Sequence, residues 1–161
     1  MKLDRTDLQI LAILQTHGRI TKVALAEKVN LSPTPCWTRL KRLEQAGVIE
    51  GYQAVISAKA LGPAVTVYTE IGLATHRKND FHKFETAVMN IPEIRECWSL
   101  GGGIDYLLKT IVKHIDNYQQ LIDDLLDADL GVDRYFTYIV TKPVKNLPGL
   151  PLYALAAGNG E

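Results

Sequence analysis

Ser32, Thr34, Thr38, Lys41 and Arg42 place hydroxyls and cations close together in the run Leu-Ser-Pro-Thr-Pro-Cys-Trp-Thr-Arg-Leu-Lys-Arg-Leu at residues 31–43. Such a set contains neither a nucleophile with its base nor a metal-ligand spacing. Its chemistry is donation to anionic oxygens and to the polar edges of flat heterocycles. At about 100° per residue, Cys36, Leu40 and Leu43 fall on one side of a helix. Thr34, Thr38, Lys41 and Arg42 fall roughly opposite, with Trp37 and Arg39 on the flanks. Ser32 suits the N-cap, where its hydroxyl accepts from an unpaired backbone N–H, and Pro33 suits the first helical position, which needs no N–H. The spacing predicts a helix with one packing side and one free side.

The elements around this helix decide what the free side can meet. Asp4 and Asp7 are spaced as an N-cap and its N3 partner, opening a first helix that runs to about Thr16. Leu8, Ile10, Leu11 and Leu14 supply its apolar stripe, and Gly18 is placed to give a left-handed stop. Thr21 caps a second, short helix with Ala24, Leu25 and Val29 turned inward, and Asn30 tolerates the left-handed conformation needed to turn into Ser32. Ala46 and Gly47 end the third helix, and residues 48–56 read as two short strands around Gly51, a small wing. This is a helix-turn-helix arrangement with residues 31–43 as its DNA recognition helix. In it Arg42 is expected to offer a bidentate fork to guanine, worth about 1–3 kcal/mol of discrimination. Lys41 and Arg39 are expected at phosphates, and Thr38 suits either role.

A Gly-Pro break at residues 57–63 separates a second pattern. Residues 65–73 alternate as a strand, with Val65, Val67, Thr69 and Ile71 on one side, and Phe81, Phe84 and Val88 follow at helical spacing. Residues 94–100 and 106–112 flank Gly101, Gly102 and Gly103. Ile115, Tyr118, Leu121, Ile122 and Leu125 form a helical stripe, and residues 132–140 are rich in β-branched and aromatic side chains. The order βαββαβ predicts a ferredoxin-like half sandwich, so the fold class is α+β. The expected domains are 1–56 for the winged helix-turn-helix, 57–63 for the linker, 64–142 for the ferredoxin-like unit and 143–161 for a tail. Pro143, Pro148 and Pro151 forbid a regular element through residues 145–152, yet Leu147, Leu150, Leu152 and Tyr153 are apolar enough to pack across a partner subunit. In the glycine turn, backbone N–H groups can receive a carboxylate and Asp105 an ammonium; the plainer reading is a hairpin that Asp105 caps.

The chain has 161 residues, 47% of them hydrophobic, enough for two small cores. No apolar run reaches about eighteen residues and no signal segment stands at the front, so a cytoplasmic, nucleoid-associated protein with no membrane partner is expected. Net charge is zero. Its distribution is uneven: residues 1–50 carry eight Lys or Arg against five Asp or Glu, a balance of +3, and residues 51–161 carry ten against thirteen, −3. A half with only +3 needs a dimer or larger assembly to collect enough phosphate contacts. Cys36 and Cys97 form neither a disulfide framework nor a CxxC site and are expected as buried, reduced thiols. His17, His76, His82 and His114 lack metal-ligand spacing. Asp123, Asp124, Asp127 and Asp129 lack the EF-hand order and read as a solvated helix end. The three glycines are not a dinucleotide fingerprint, since Tyr106 stands at the sixth position and a hairpin surrounds them. Trp98 is expected at an interface or in the core. No catalytic residues, metal or cofactor are expected.

The whole chain, over residues 3–142, resembles the Lrp/AsnC, or feast/famine, family of bacterial and archaeal transcription regulators. Three stretches carry the likeness: Leu3-Asp4-Arg5-Thr6-Asp7-Leu8-Gln9-Ile10-Leu11, residues 31–43, and Asp105-Tyr106-Leu107-Leu108-Lys109. The resemblance implies a winged helix-turn-helix joined to a ligand-binding domain, with double-stranded DNA as partner. It implies dimers paired through the sheets of the second domains, often gathered into octamers. An amino acid or related metabolite bound between dimers would tune DNA binding or assembly. By resemblance, Ser32, Thr34, Pro35, Thr38, Arg39 and Arg42 approach the major groove or its phosphates, and Gly101, Gly102, Gly103, Ile104, Asp105 and Tyr106 form part of the effector pocket. The family often has an acidic residue where Gly103 stands, and its absence leaves leucine, another amino acid or a compatible solute as candidate effectors. Two other readings remain open from the sequence: a nucleoid-organising DNA binder with little ligand control, and a metabolic enzyme built on the ferredoxin-like unit.

Overall fold

Capping chemistry sets the first three helices. A computed structural model describes residues 1–147 and 149–157, and the chain divides into a first unit, Met1–Val55 with the residues from Lys145 onward, and a second, Ile56–Val144. In the first unit α1 spans Arg5–Thr16, α2 Lys22–Lys28 and α3 Pro33–Gln45. Asp4 and Asp7 form a reciprocal capping box, each carboxylate accepting from the other's backbone N–H at 2.8 and 3.1 Å. Thr21 accepts from the N–H of Ala24 at 3.2 Å, and Asn30 takes the left-handed conformation at φ 53°. Ile10, Leu25, Ala26, Cys36 and Leu43 pack to near-complete burial where the three helices meet.

Three local expectations are corrected. Gly18 is not left-handed; α1 ends at His17, and Thr16 turns its hydroxyl back onto the carbonyls of Ala12 and Ile13. Ser32 occupies the N-cap of α3 but makes no cap hydrogen bond. Pro33 and Pro35 hold the first and third helical positions, so the N3 donor that a serine cap normally accepts from does not exist. No strand forms over residues 48–56. The N–H groups of Val48 and Ile49 both turn back to the carbonyl of Leu43, at 3.0 and 3.3 Å, behind the left-handed Gly47. They close the helix end and are lost to a ladder, and a lone two-stranded ribbon is marginal in any case.

The tail also departs from expectation. It returns to α1 of its own chain, where Gln15 bonds both the N–H of Leu150, at 2.6 Å, and its carbonyl, at 3.2 Å. After Pro151 a short helix α4 of the first unit's tail, Leu152–Ala156, packs Leu152 on the three-helix core. Pro148 and residues 158–161 of the expected tail lie outside the described residues.

In the second unit β1 is Val65–Leu73, followed by helix α5 (Lys78–Met89), β2 (Ile94–Ser99), β3 (Tyr106–Val112), helix α6 (Ile115–Asp127) and β4 (Val132–Ile139). The sheet order is β2-β3-β1-β4, antiparallel throughout, with β1 paired to both β3 and β4. Alternation on the central strands explains the layering. Val67, Thr69 and Ile71, with Leu108 and Thr110 across from them, are buried among Phe84, Val88, Tyr118 and Ile122, each large apolar side chain contributing about 1.5–3 kcal/mol. Within this core the hydroxyl of Tyr118 joins Thr69 at 2.9 Å and Thr137 at 2.7 Å. The opposite sheet face carries a row from Trp98 through Leu107 and Glu70 to Phe136, and a second from Glu96 through Lys109 and Tyr68 to Tyr138. Trp98, Phe136 and Tyr138 stand exposed there. Cys36 is buried, but Cys97, expected to be buried too, is exposed; it lies on the edge strand β2, where cover is thinnest. No helix among the described residues is long and apolar enough to cross a membrane.

Candidate DNA-reading helix and effector cleft

Asp7 is fully buried and carries the geometry of the first site. A carboxylate out of water needs cations and donors around it. Arg42 supplies an Nη at 2.6 Å, and Arg39 supplies another at 3.0 Å while also meeting Asp4 at 2.5 Å. Hydrogen bonding from the Asp7 backbone N–H, followed by Arg39, holds the Asp4 carboxyl below its ordinary value, and the same pairing pushes Arg39 up. Arg42, expected to offer a fork to guanine, places one Nη on Asp7 of the first helix while its side chain stays about half exposed at 48%. Ser32, Thr34, Pro35, Thr38 and Lys41 stand exposed on α3. Thr38 donates to the carbonyl of Thr34 at 3.1 Å and keeps its acceptor lone pairs outward.

The second site lies at one end of the sheet. A cleft of about 360 Å³ is lined by Gly72 and Leu73 at the end of β1, His76 just beyond, Gly102 to Asp105 before β3, and Asp133 with Arg134 at the start of β4. Asp105 stitches this end together. One carboxylate oxygen accepts from the N–H of Leu73 at 2.7 Å and the other faces His76 Nε2 at 3.0 Å. Its own N–H donates to the carbonyl of Ile71 and its carbonyl accepts from Leu100. Arg134 crosses over Gly72 to donate to the carbonyl of Gly103 at 2.7 Å. A Cβ at position 72 would stand 3.0 Å from the Arg134 stem, so glycine is what admits the crossing.

Gly102, Gly103, Ile104 and Asp105 thus line the cleft. Gly101 does not, and Tyr106 points the other way: it is buried against Phe84, with ring centroids 4.6 Å apart, and donates to Glu85 at 2.8 Å. Burial and the Glu85 carboxylate push its phenol far up. The one-residue alternation of β3 sends its first side chain to the helix layer. His76, Asp133 and Arg134 were missed from sequence. For Arg134 the signal is the register, which sets it opposite Gly72. No cluster of three or more His, Cys, Asp or Glu is placed to hold a metal ion among the described residues.

Two family models match the chain, one after the other. Residues 3–50 match the winged helix-turn-helix DNA-binding family, and residues 66–150 match the Lrp/AsnC ligand binding domain. The chain is 54% identical over 145 residues to the transcriptional regulatory protein DoeX of Halomonas elongata, covering 90% of this chain and 92% of that one. It is 43% identical over 143 residues to the leucine-responsive regulatory protein of Escherichia coli, covering 89% and 87%. A solved transcriptional regulator of Neisseria meningitidis in complex with L-methionine superposes with a TM-score of 0.89 at 35% identity, over 95% of this chain and 99% of that one. With both halves matched in order and these relatives aligned almost end to end, the chain belongs to the Lrp/AsnC family of DNA-binding transcriptional regulators that carry a ligand-binding domain.

Proposed function

We propose that the protein is a sequence-specific regulator whose exposed α3 face reads double-stranded DNA and whose sheet-end cleft takes an amino acid or a close derivative. The observation that carries the DNA half is the exposed row of hydroxyls and lysine along α3. Ser32 has a free hydroxyl because its usual cap donor is a proline, and Thr34, Thr38 and Lys41 are exposed beside it. In this reading Ser32, Thr34, Pro35 and Thr38 approach base edges and adjoining backbone, and Lys41 meets a phosphate. Arg39 and Arg42 set the angle of α3 through Asp7, with Arg42's remaining donors free for a phosphate. Thr38→Ala relaxes the base preference at one position, whereas Lys41→Ala weakens a selected and a scrambled duplex by the same factor. Equilibrium binding to both duplexes at one salt concentration separates the two. Equal, negligible effects would displace the reading face.

For the effector, the Asp105 carboxylate is taken by Leu73 and His76, so the roles pass to its neighbours. Arg134 keeps guanidinium donors beside the Gly102 and Gly103 backbone and suits a carboxylate, and Asp133 suits an ammonium. The L-methionine complex of the Neisseria meningitidis relative puts free amino acids first in a ligand panel. The exposed sheet face bearing Trp98, Phe136 and Tyr138 is the one through which a second copy pairs, the first step toward a dimer or a higher assembly such as an octamer. Thermal melting against amino acids and related solutes tests the effector. A compound at a hundred times its dissociation constant adds about 2.7 kcal/mol, and the shift disappears in Asp133→Ala. Melting that no compound moves would remove the ligand half of this reading.

A further inference from the structure

Two lysines outside the arginine cluster share one aromatic ring. The ammonium of Lys22, the first residue of α2, lies 3.3 Å from the centroid of Trp37, and that of Lys41, one turn further along α3, lies 5.1 Å from the same centroid. Trp37 is half-buried, packed against the three-helix core, so the ring is a fixed platform on an otherwise exposed flank. The negative face of an indole attracts a cation, and tryptophan does so best among the aromatic residues. Lysine is otherwise a flexible, strongly hydrated point charge with three donors.

What sets the pair apart is the shared ring, and it has no counter-charge beside it. Arg39 and Arg42 are met by Asp4 and Asp7, and Lys83 and Lys109 by Asp129 and Glu96. Neither Lys22 nor Lys41 has a carboxylate within ion-pair distance among the described residues. Two like charges drawn to one ring repel each other, and the ring compensates only the faces turned toward it. The outward N–H donors are left for an anion. Both side chains are exposed, and they come from two helices that meet at the turn before α3.

We propose that Trp37 is a positioning residue that holds Lys22 and Lys41 as a two-pronged clamp for the phosphate backbone of DNA, fixing the register in which α3 lies. This rests on the DNA-binding reading of the α3 face. Phosphate contacts made this way add affinity and orientation without base choice.

The test uses the full chain and two duplexes, one selected for tight binding and one scrambled, titrated across a range of salt concentrations. Lys22→Ala and Lys41→Ala each reduce the slope of log affinity against log salt by about 0.9 on both duplexes. Trp37→Leu weakens both duplexes by a common factor, and Trp37→Phe, which keeps a ring, recovers most of the loss at an unchanged melting temperature. An unaltered slope in Lys22→Ala overturns the clamp, as does equal weakening by Trp37→Leu and Trp37→Phe in folded protein. Should Trp37→Leu fail to fold, the Lys22→Ala slope decides. A wild-type chain that binds neither duplex overturns the DNA-binding reading and the clamp together, whereas wild-type binding with unaltered slopes overturns the clamp alone.

Discussion

The three-helix unit and the sheet-end cleft each contain a charged group that motif reading assigns to a ligand, and in each the fold has taken that group for itself. Arg42 in the first unit is bound to the buried Asp7, and Asp105 in the second is bound to the Leu73 N–H and His76. The two cases differ in depth. Asp7 has lost all contact with water, so its arginine partners compensate a full desolvated charge, whereas the Asp105 side chain keeps 17% of its surface and anchors one loop to one strand. In both, the proposed contact with a ligand falls to exposed or cleft-lining neighbours, Thr34, Thr38 and Lys41 on the helix and Asp133 and Arg134 at the cleft. In the proposed reading, Arg42 and Asp105 build the platform and the residues beside them carry the contact.

The largest expected effect tests the platform half of that contrast. Replacing Arg39 and Arg42 together by alanine leaves Asp7 buried with only the Asp4 N–H as partner, and should destabilise the first unit by about 3–5 kcal/mol in urea unfolding. Lys41→Ala, with no protein carboxylate to abandon, should stay within about 0.5 kcal/mol of wild type. If the double substitution unfolds no more readily than Lys41→Ala, the arginines are not structural, and the fork of Arg42 returns to DNA.

The cleft supplies the next test, smaller because its carboxylate is less buried. Asp105→Ala strips the Leu73 N–H of its acceptor and should lower ligand-free stability by about 1–3 kcal/mol. Asp133→Ala should leave ligand-free melting near wild type and abolish the shift that an effector produces. The reverse assignment of the two variants would make Asp105 the ligand contact and Asp133 the scaffold.

Much of the fold is legible in the chain because one periodicity dominates each element. Residues 65–73, read from alternation, and 106–112, read as flanking the glycine turn, appear as strands at those bounds, and α6 begins at Ile115, where its apolar stripe begins. What escapes is whatever depends on a partner distant in sequence. Nothing around Asp7 announces that residues some thirty positions later will satisfy it, since α3 looks equally amphipathic with its arginines turned in or out. The cleft is hidden for the same reason: Arg134 is an ordinary strand residue until the β1–β4 register lays it over Gly72. The two strands expected around Gly51 do not form because of a local detail, two N–H groups diverted to the carbonyl of Leu43, which strand propensity does not register.

A finer comparison sets two threonines of the second unit side by side. Thr69 and Thr110 are both buried on the helix side of the sheet, but Thr69 shares a hydrogen bond with Tyr118 and the Thr110 hydroxyl has no partner among the described residues. An unpaired buried hydroxyl carries a desolvation penalty that an isosteric methyl removes, so Thr110→Val should raise stability by about 1 kcal/mol. Thr69→Val should lower it by about 1 kcal/mol, by removing the Thr69 end of the chain Thr69–Tyr118–Thr137. Equal effects in thermal melting would mean that a partner for Thr110 exists in solution.

The smallest effect lies in acid and returns to the edge of the Asp7 cluster. The Asp4 carboxyl is held below its ordinary 3.8 chiefly by the Asp7 N–H and then by Arg39. A carboxylate depressed in the folded state contributes stability that is whole above the unfolded value and drains away as pH falls through the folded one. Melting should therefore be insensitive to Asp4 above about pH 5 and lose its contribution below about pH 4. Because the side chain is half exposed, water screens the interaction and the drop attributable to it is slight. Asp4→Asn keeps an acceptor for the helix cap but cannot titrate, so its melting curve should lie below wild type near neutral pH and converge with it in acid. A constant gap between the two across that range would place the pairing energy in the cap geometry, not in the Asp4 charge, and would leave Asp7 as the sole carboxylate that the two arginines serve.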